Sequence, residues 1–458
     1  MKDRIEERFK DTPEILSSPV SMKLPNDPIL IYEGDFILKQ SEKEIRINGR
    51  IEYKWQPHSG TTFWGYVITD PIPNTDLNKE YDLIINELKF GDSQILSPIY
   101  ERELNKIKIE GIIKADAILG DKSISVNKVT FCIPNLRDFL GASVKKIDKG
   151  ISLTKGRLSF ENSDYTIRID KFFDYDKFEN NLHSKGGYII LYSGELLKKR
   201  SNISFKETQD VLYSFATFIS FLNGSQCSPL FRTGQSDNNI IWTNFTDYLN
   251  DPYKTVISWP RKHNIDGFND LWKTFCEIWK NETGEIFLST AIHWYVQANS
   301  GSLFSDDAII FTQVALELIY NWYLIENKKI LTGKDAENIS ASNKIRLLIS
   351  NFNIDFTIPK ALTHLQEYAS STKENNIDGP EAFVQIRNMI VHPQVEKRKK
   401  LSNIHYKAKS EALRLGIWYI ELSLLYILNF QDGYLNRCTE YPYSSRGERL
   451  VPWKIKKS

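Results

Sequence analysis

Residues that build metal and redox sites are scarce in this chain. Its 458 residues include four cysteines and three methionines. Cys132, Cys227, Cys276 and Cys438 are scattered and share no C-x-x-C spacing, so neither a zinc site nor a disulfide framework follows. An excess of one charge is missing too. The 59 Lys and Arg nearly cancel the 58 Asp and Glu, leaving +1, and the total names no partner. There is no P-loop, G-x-G-x-x-G, H-E-x-x-H or G-x-S-x-G, which removes the usual sequence routes to phosphate cradles, zinc proteases and serine hydrolases. No cofactor and no metal is expected.

No run is expected to cross a membrane. The longest, Leu415 to Phe430, is interrupted by Glu421. It falls short of the roughly 18–20 residues a span needs and reads as a buried helix. Met1-Lys2-Asp3-Arg4-Ile5-Glu6-Glu7-Arg8 is too charged for a signal peptide. The chain is expected to be cytoplasmic, with no membrane partner.

What is present divides into two halves of different period. After a polar lead-in, 1–25, strand signals dominate. Ile45, Ile47, Ile51, Tyr53 and Trp55 fall on alternate positions, the pattern of a half-buried strand. Residues 107–110 and 165–169 alternate likewise, and Gly120-Asp121-Lys122 and Asn162-Ser163-Asp164 read as turns. A β-rich domain, a sandwich or curled sheet, is expected over 26–203. Ser204-Phe205-Lys206-Glu207 fits a capping box before a helix-spaced apolar run. An irregular, aromatic bridge follows, giving 204–285 as helical and irregular. It ends at the polar stretch Lys280 to Gly284, expected to be an exposed connection. From 286 to 458 helices are expected, with Ser305 a candidate cap. The fold class is therefore α+β multidomain: a β-rich N-terminal domain followed by an all-α helical bundle.

Chemistry concentrates at Arg387-Asn388-Met389-Ile390-Val391-His392-Pro393. Pro380 suits a first helical turn, and Phe383, Ile386 and Ile390 form an apolar stripe. Pro393 disfavours helix at the residue before it, so His392 is expected at or just past the helix end. In a continued helix Arg387 and His392 would point about 140° apart, yet a long guanidinium and a released ring can converge on one phosphate. Histidine moves protons near neutral pH, and arginine grips phosphate through a fork of donors. By spacing alone the pair is a common coincidence.

The run Lys397-Arg398-Lys399-Lys400 follows directly. It reads either as a solvated face or as a phosphate-steering patch. From Val391 onward 13 Lys and Arg meet 6 Asp and Glu, which suits an anionic partner. Weaker patterns lie elsewhere. Asp70 with Glu87-Leu88-Lys89 has the form of a metal-nuclease site. Trp55 and Phe63-Trp64-Gly65-Tyr66 read as core or as an aromatic face. Glu317 reads as a surface residue, and His293, His364 and His405 lack metal-ligand spacing. Trp418, Tyr419 and Tyr426 are either core or a surface shared with a second copy.

Arg-Asn, three apolar residues and His-Pro resemble the R-x4-6-H signature of HEPN domains. Ala315 to Tyr323 is similar to the early long helix of that family, and the resemblance covers roughly 286–430. With the strand-rich first half, the layout is similar to ApeA-like anti-phage proteins. The resemblance implies a metal-independent endoribonuclease with RNA as partner, acting in abortive infection. Arg387 and His392 would be catalytic, Asn388 supporting, and Lys397, Arg398, Lys399 and Lys400 would bind RNA. It also implies a homodimer with both motifs in one cleft, and a phage-derived trigger sensed by the N-terminal domain. The alternative is a non-catalytic HEPN dimerisation or interaction protein with a β-rich ligand-sensing domain.

Overall fold

The computed structural model describes residues 9–69, 79–148, 150–263, 265–300, 305–372, 377–392 and 394–454. The alternating apolar residues of the first half close a barrel. Its strands are β1 (Ile29–Gln40), β2 (Lys43–Lys54), β3 (Gly60–Val67), β4 (Glu80–Ile85), β5 (Leu88–Glu101) and β6 (Lys106–Ile113). They are hydrogen-bonded in the order β1-β2-β3-β6-β5-β4, and β1 pairs back onto β4. Ile45, Ile47, Ile51 and Tyr53 are buried inside, because alternate side chains of a strand share a face. Gly49 sits opposite Gly65. A Cβ on Gly49 would lie 2.1 Å from the Trp64 carbonyl oxygen, so the crossing of β2 and β3 requires glycine.

A second, antiparallel sheet follows. It comprises β7 (Ile118–Gly120), β8 (Lys128–Pro134), β9 (Ala142–Ile147), β10 (Ile151–Glu161), β11 (Tyr165–Lys171), β12 (Ile190–Lys198), β13 (Leu230–Ser236) and β14 (Asn239–Asn244). Its order is β7-β14-β13-β8-β12-β11-β10-β9. Helix α1 (Tyr175–Lys185) joins β11 to β12, and α2 (Phe205–Asn223) joins β12 to β13. Half of the capping box is present: Ser204 Oγ accepts from the Glu207 N–H at 3.2 Å, while the Glu207 carboxylate binds Tyr165 and Lys198. The expected bridge 204–285 thus contributes two sheet strands, β13 and β14. Leu230 to Gly234 are buried on both faces, which erases the alternation that would reveal a strand.

The chain forms two compact units, 1–216 with 227–253, and 217–226 with 254–458. The boundary expected at 286 falls inside the second. That unit contains α3 (Phe268–Trp279), α4 (Glu282–Asn299), α5 (Ser305–Tyr320) running on into a π-helical turn (Asn321–Asn327), α6 (Lys334–Asn338), α7 (Ala341–Asn351), α8 (Thr363–Ser371), α9 (Gly379–Val391), α10 (Val395–Asn403) and α11 (Tyr406–Ile427). The stretch 280–284 connects α3 to α4 with Lys280 to Thr283 exposed, as expected, and it turns tightly at a buried Gly284. Asn281 caps α4 by accepting from the Gly284 N–H at 2.8 Å, and a Cβ on Gly284 would lie 1.9 Å from the Ile278 carbonyl oxygen.

Helix α5 packs on α4 and α11. With its π turn, Asp306–Asn327 is long and apolar enough to cross a membrane by composition, and 56% of that window is buried inside the unit. Glu421, which interrupts the apolar run of α11, is bound by Arg437. Arg437 Nε donates to Oε2 at 2.8 Å and Nη2 to Oε1 at 2.5 Å. Tyr295 Oη donates to Oε1 at 2.8 Å, and Arg437 Nη1 to Asn299 Oδ1 at 3.1 Å. Trp418 and Tyr419 are buried core residues, and Tyr426 stacks on Phe352 with centroids 4.2 Å apart.

Candidate active site

Helix α9 is held at both ends. Asp378 caps its start by accepting from the Glu381 N–H at 3.0 Å, and Arg346 binds the same carboxylate. Pro380 occupies the first turn. Ala382, Phe383, Ile386 and Met389 are buried, and α9 packs against α7 and α11. This apolar stripe sets the roll of the helix and leaves Arg387 and Asn388 half-buried at its edge.

The helix stops where the sequence expects. His392 leaves helical geometry at φ −115° and ψ 76°. Its N–H still donates to the Asn388 carbonyl at 3.1 Å, while its own carbonyl accepts from the Gln394 N–H at 2.8 Å. Its side chain is exposed. Pro393 lies outside the described residues.

Arg387 Nη1 donates to Asn388 Oδ1 at 3.0 Å. Its Nε is buried without a hydrogen-bond partner, and no carboxylate pairs with it among the described residues. A guanidinium so placed keeps donors for an incoming anion. A cation with no carboxylate partner near a helix end, with an exposed imidazole, can hold a phosphate and move a proton.

The basic run lies on α10. Lys397 is half-buried, while Arg398, Lys399 and Lys400 are exposed. Lys397 and Lys400 line a cleft of about 790 Å³ together with Asn388, Tyr368, His364 and His405. Arg387, His392, Arg398 and Lys399 do not line it. The structure thus joins Asn388 to two of the four basic residues and leaves Arg387 and His392 out of the lining of the cleft.

Sequence spacing missed the histidine pair. His364 and His405 stack with ring centroids 4.7 Å apart and planes at 11°. His364 Nδ1 lies 3.1 Å from Glu411 Oε1, and the Glu411 carboxylate also accepts from the Leu365 N–H at 2.8 Å. His405 Nδ1 accepts from the Lys407 N–H at 3.3 Å and so caps α11. Only the fold brings these residues, 41 positions apart, together.

The weaker candidates resolve into structural roles. Glu317 is a surface carboxylate 3.7 Å from Lys344. Asp70 lies outside the described residues. Asn86 and Glu87 have φ of 50° and 67° and form the two-residue turn between β4 and β5, a conformation typical of tight hairpins. Lys89 is taken by Asp82 at 2.7 Å and Asp92 at 2.6 Å. Trp55 and Phe63 are core. Trp64 and Tyr66 are half-buried, with Lys108 Nζ 5.1 Å from the Trp64 ring and Lys106 Nζ 5.6 Å from that of Tyr66. Among the described residues no group of three His, Cys, Asp or Glu could hold a metal.

Comparison with known proteins finds two domain matches. Residues 121–256 match the YopA central domain and 281–449 the YopA C-terminal domain. The barrel strands from Ile29 to Ile113 lie outside both. No solved structure matches. Across 440 residues, 94% of this chain and 96% of the other, the chain is 28% identical to the SPbeta prophage-derived uncharacterized protein YopA of Bacillus subtilis (strain 168), so its likeness to YopA runs through both the sheet and the helical unit.

Proposed function

We propose that this chain is a metal-independent endoribonuclease of the HEPN type, working in the cytoplasm in anti-phage abortive infection. The observation that carries the reading is the end of α9, where Arg387 has no carboxylate partner and His392 ends the helix exposed. In the proposed reaction the 2′-hydroxyl of RNA attacks the adjacent phosphorus. The new 2′-O–P bond forms as the P–O5′ bond breaks. One imidazole takes the 2′-hydroxyl proton and another delivers a proton to O5′. Arg387 binds the pentacovalent phosphate, and Asn388 holds the guanidinium. Each chain offers one such histidine, so a homodimer with both motifs in one cleft supplies acid and base. Lys397, Arg398, Lys399 and Lys400 steer the RNA. The β-rich unit senses a phage-derived trigger, and the prophage origin in the relative's name suits such a setting.

The test incubates purified protein with total RNA in EDTA, beside the His392→Ala protein. Cutting that survives EDTA, yields 2′,3′-cyclic phosphate ends and disappears in His392→Ala is expected. Cutting abolished by EDTA and restored by Mg²⁺ would sink the reading. Light scattering over a concentration series tests the dimer; a strict monomer that cuts RNA at nanomolar concentration rules out the shared cleft.

One observation favours a second reading, a non-catalytic interaction module. The large cleft on this face is lined by Asn388 but by neither Arg387 nor His392. An intact fold that cuts no RNA under any trigger would favour it.

A further inference from the structure

We propose that the cleft between α8, α9, α10 and the start of α11 is a nucleotide pocket that holds one unpaired ribonucleotide next to the phosphate that is cut. This inference rests on the ribonuclease reading. At about 790 Å³ the cleft falls within the roughly 300–1,000 Å³ typical of small-ligand sites.

Its lining has the two halves a nucleotide needs. The cationic half is Lys397 and Lys400, one turn apart on α10. Neither makes an ion pair among the described residues. Glu367 is the one carboxylate among the described lining residues. The other half suits a base. Tyr368 and the His364–His405 pair, whose facing sides stack on each other, line it with aromatic rings, and unpaired bases stack on open aromatic faces whatever their identity. Met389, Ile404 and Ala408 supply apolar wall.

Gln385 and Asn388, one turn apart on α9, also line the cleft. Side-chain amides can both donate to and accept from a base edge. Gln385 Oε1 accepts from Tyr368 Oη at 3.3 Å and its Nε2 donates to Glu381 Oε1 at 3.2 Å, which fixes this amide against the aromatic wall and leaves the base edge to Asn388. Asn388 belongs to both sites: it lines the cleft and its Oδ1 binds Arg387 Nη1. A base touching Asn388 is therefore one side chain from the guanidinium assigned to the scissile phosphate. The pocket would read the identity of a flanking nucleotide and set the register of the cut.

The experiment uses the full-length His392→Ala protein, which does not turn over. It is titrated calorimetrically with each nucleoside 3′-monophosphate and, separately, with inorganic phosphate. The expected result is one site per chain, with at least one nucleotide about tenfold tighter than phosphate, because only the nucleotide stacks. Ile404→Trp fills the cleft without changing charge and removes that difference. Lys400→Glu, at an exposed position, weakens both probes. Nucleotides that bind no tighter than phosphate, or that are unaffected by both substitutions in folded protein, overturn the pocket. A chain that binds nucleotides in the cleft but cuts no RNA overturns the ribonuclease reading alone. One that cuts RNA with flanking-base preference unchanged by Ile404→Trp overturns the pocket alone.

Discussion

Two arginines of the helical unit occupy opposite situations. Arg437 is 3% exposed and its guanidinium makes four hydrogen bonds, to Glu421, Asn299 and the Ile257 carbonyl. The Glu421 carboxylate keeps its pKa well above the usual arginine value, although burial alone would lower it. Arg387 has one hydrogen-bond partner, the neutral Asn388 amide, and a buried Nε with none. Both are cations in the same bundle, yet one makes four hydrogen bonds within the fold and the other makes one. A buried pair so bonded locks the elements it joins, here α11 and the segment after it. A half-satisfied cation adds little to folding and is suited to bind something else.

The largest expected effect tests the buried pair. Glu421→Ala strands a buried guanidinium and should destabilise the protein by about 3–5 kcal/mol, read by chemical denaturation. Arg387→Ala should leave the midpoint nearly where it was; equal losses in the two variants would erase the contrast. Next comes cleavage. Arg387→Ala and His392→Ala should each lower RNA cutting by about 10²–10⁴-fold, measured on a labelled RNA under single turnover. Wild-type rates in either would remove the catalytic assignment.

The basic run should matter less. Replacing Lys397, Arg398, Lys399 and Lys400 by alanine should flatten the salt dependence of RNA binding, lowering the log–log slope by up to about 3. An unchanged slope would return the run to a solvated face. The smallest effect is a reporter. Cys438 lies beside Arg437, its Sγ 3.7 Å from the Arg414 carbonyl oxygen, and burial pushes its thiol up to about 12. At pH 8 it should be inert to thiol reagents in native protein and in Arg387→Ala, and should react in Glu421→Ala. Peptide mapping of the labelled site checks this. Inertness in Glu421→Ala would mean the region around Arg437 survives loss of its anion.

Much of the local structure was legible. The alternation of β2, the Ser204 cap of α2, Pro380 in the first turn of α9 and the release of His392 all depend on neighbours within a few residues. The even burial of β13 hid a strand; the polar sequence 280–284 marked an exposed connection but not the cap and the close-packed Gly284 that make it a corner. The candidate site divides the same way. The motif Arg387 to His392 is contiguous and was visible. The cleft was not, because it takes side chains from four helices.

By itself the sequence determined periods, caps and stops, since these follow from side-chain spacing and backbone sterics along one segment. It therefore determined a strand-rich half, a helical half and a helix that ends at His392. Tertiary structure alone decided that six strands close on themselves and that Glu421 in an apolar run meets Arg437. It also decided that His364 stacks on His405 beside Asn388. Each of these joins residues far apart in the chain, and only the packing of whole elements, each burying its apolar face, fixes which distant residues meet.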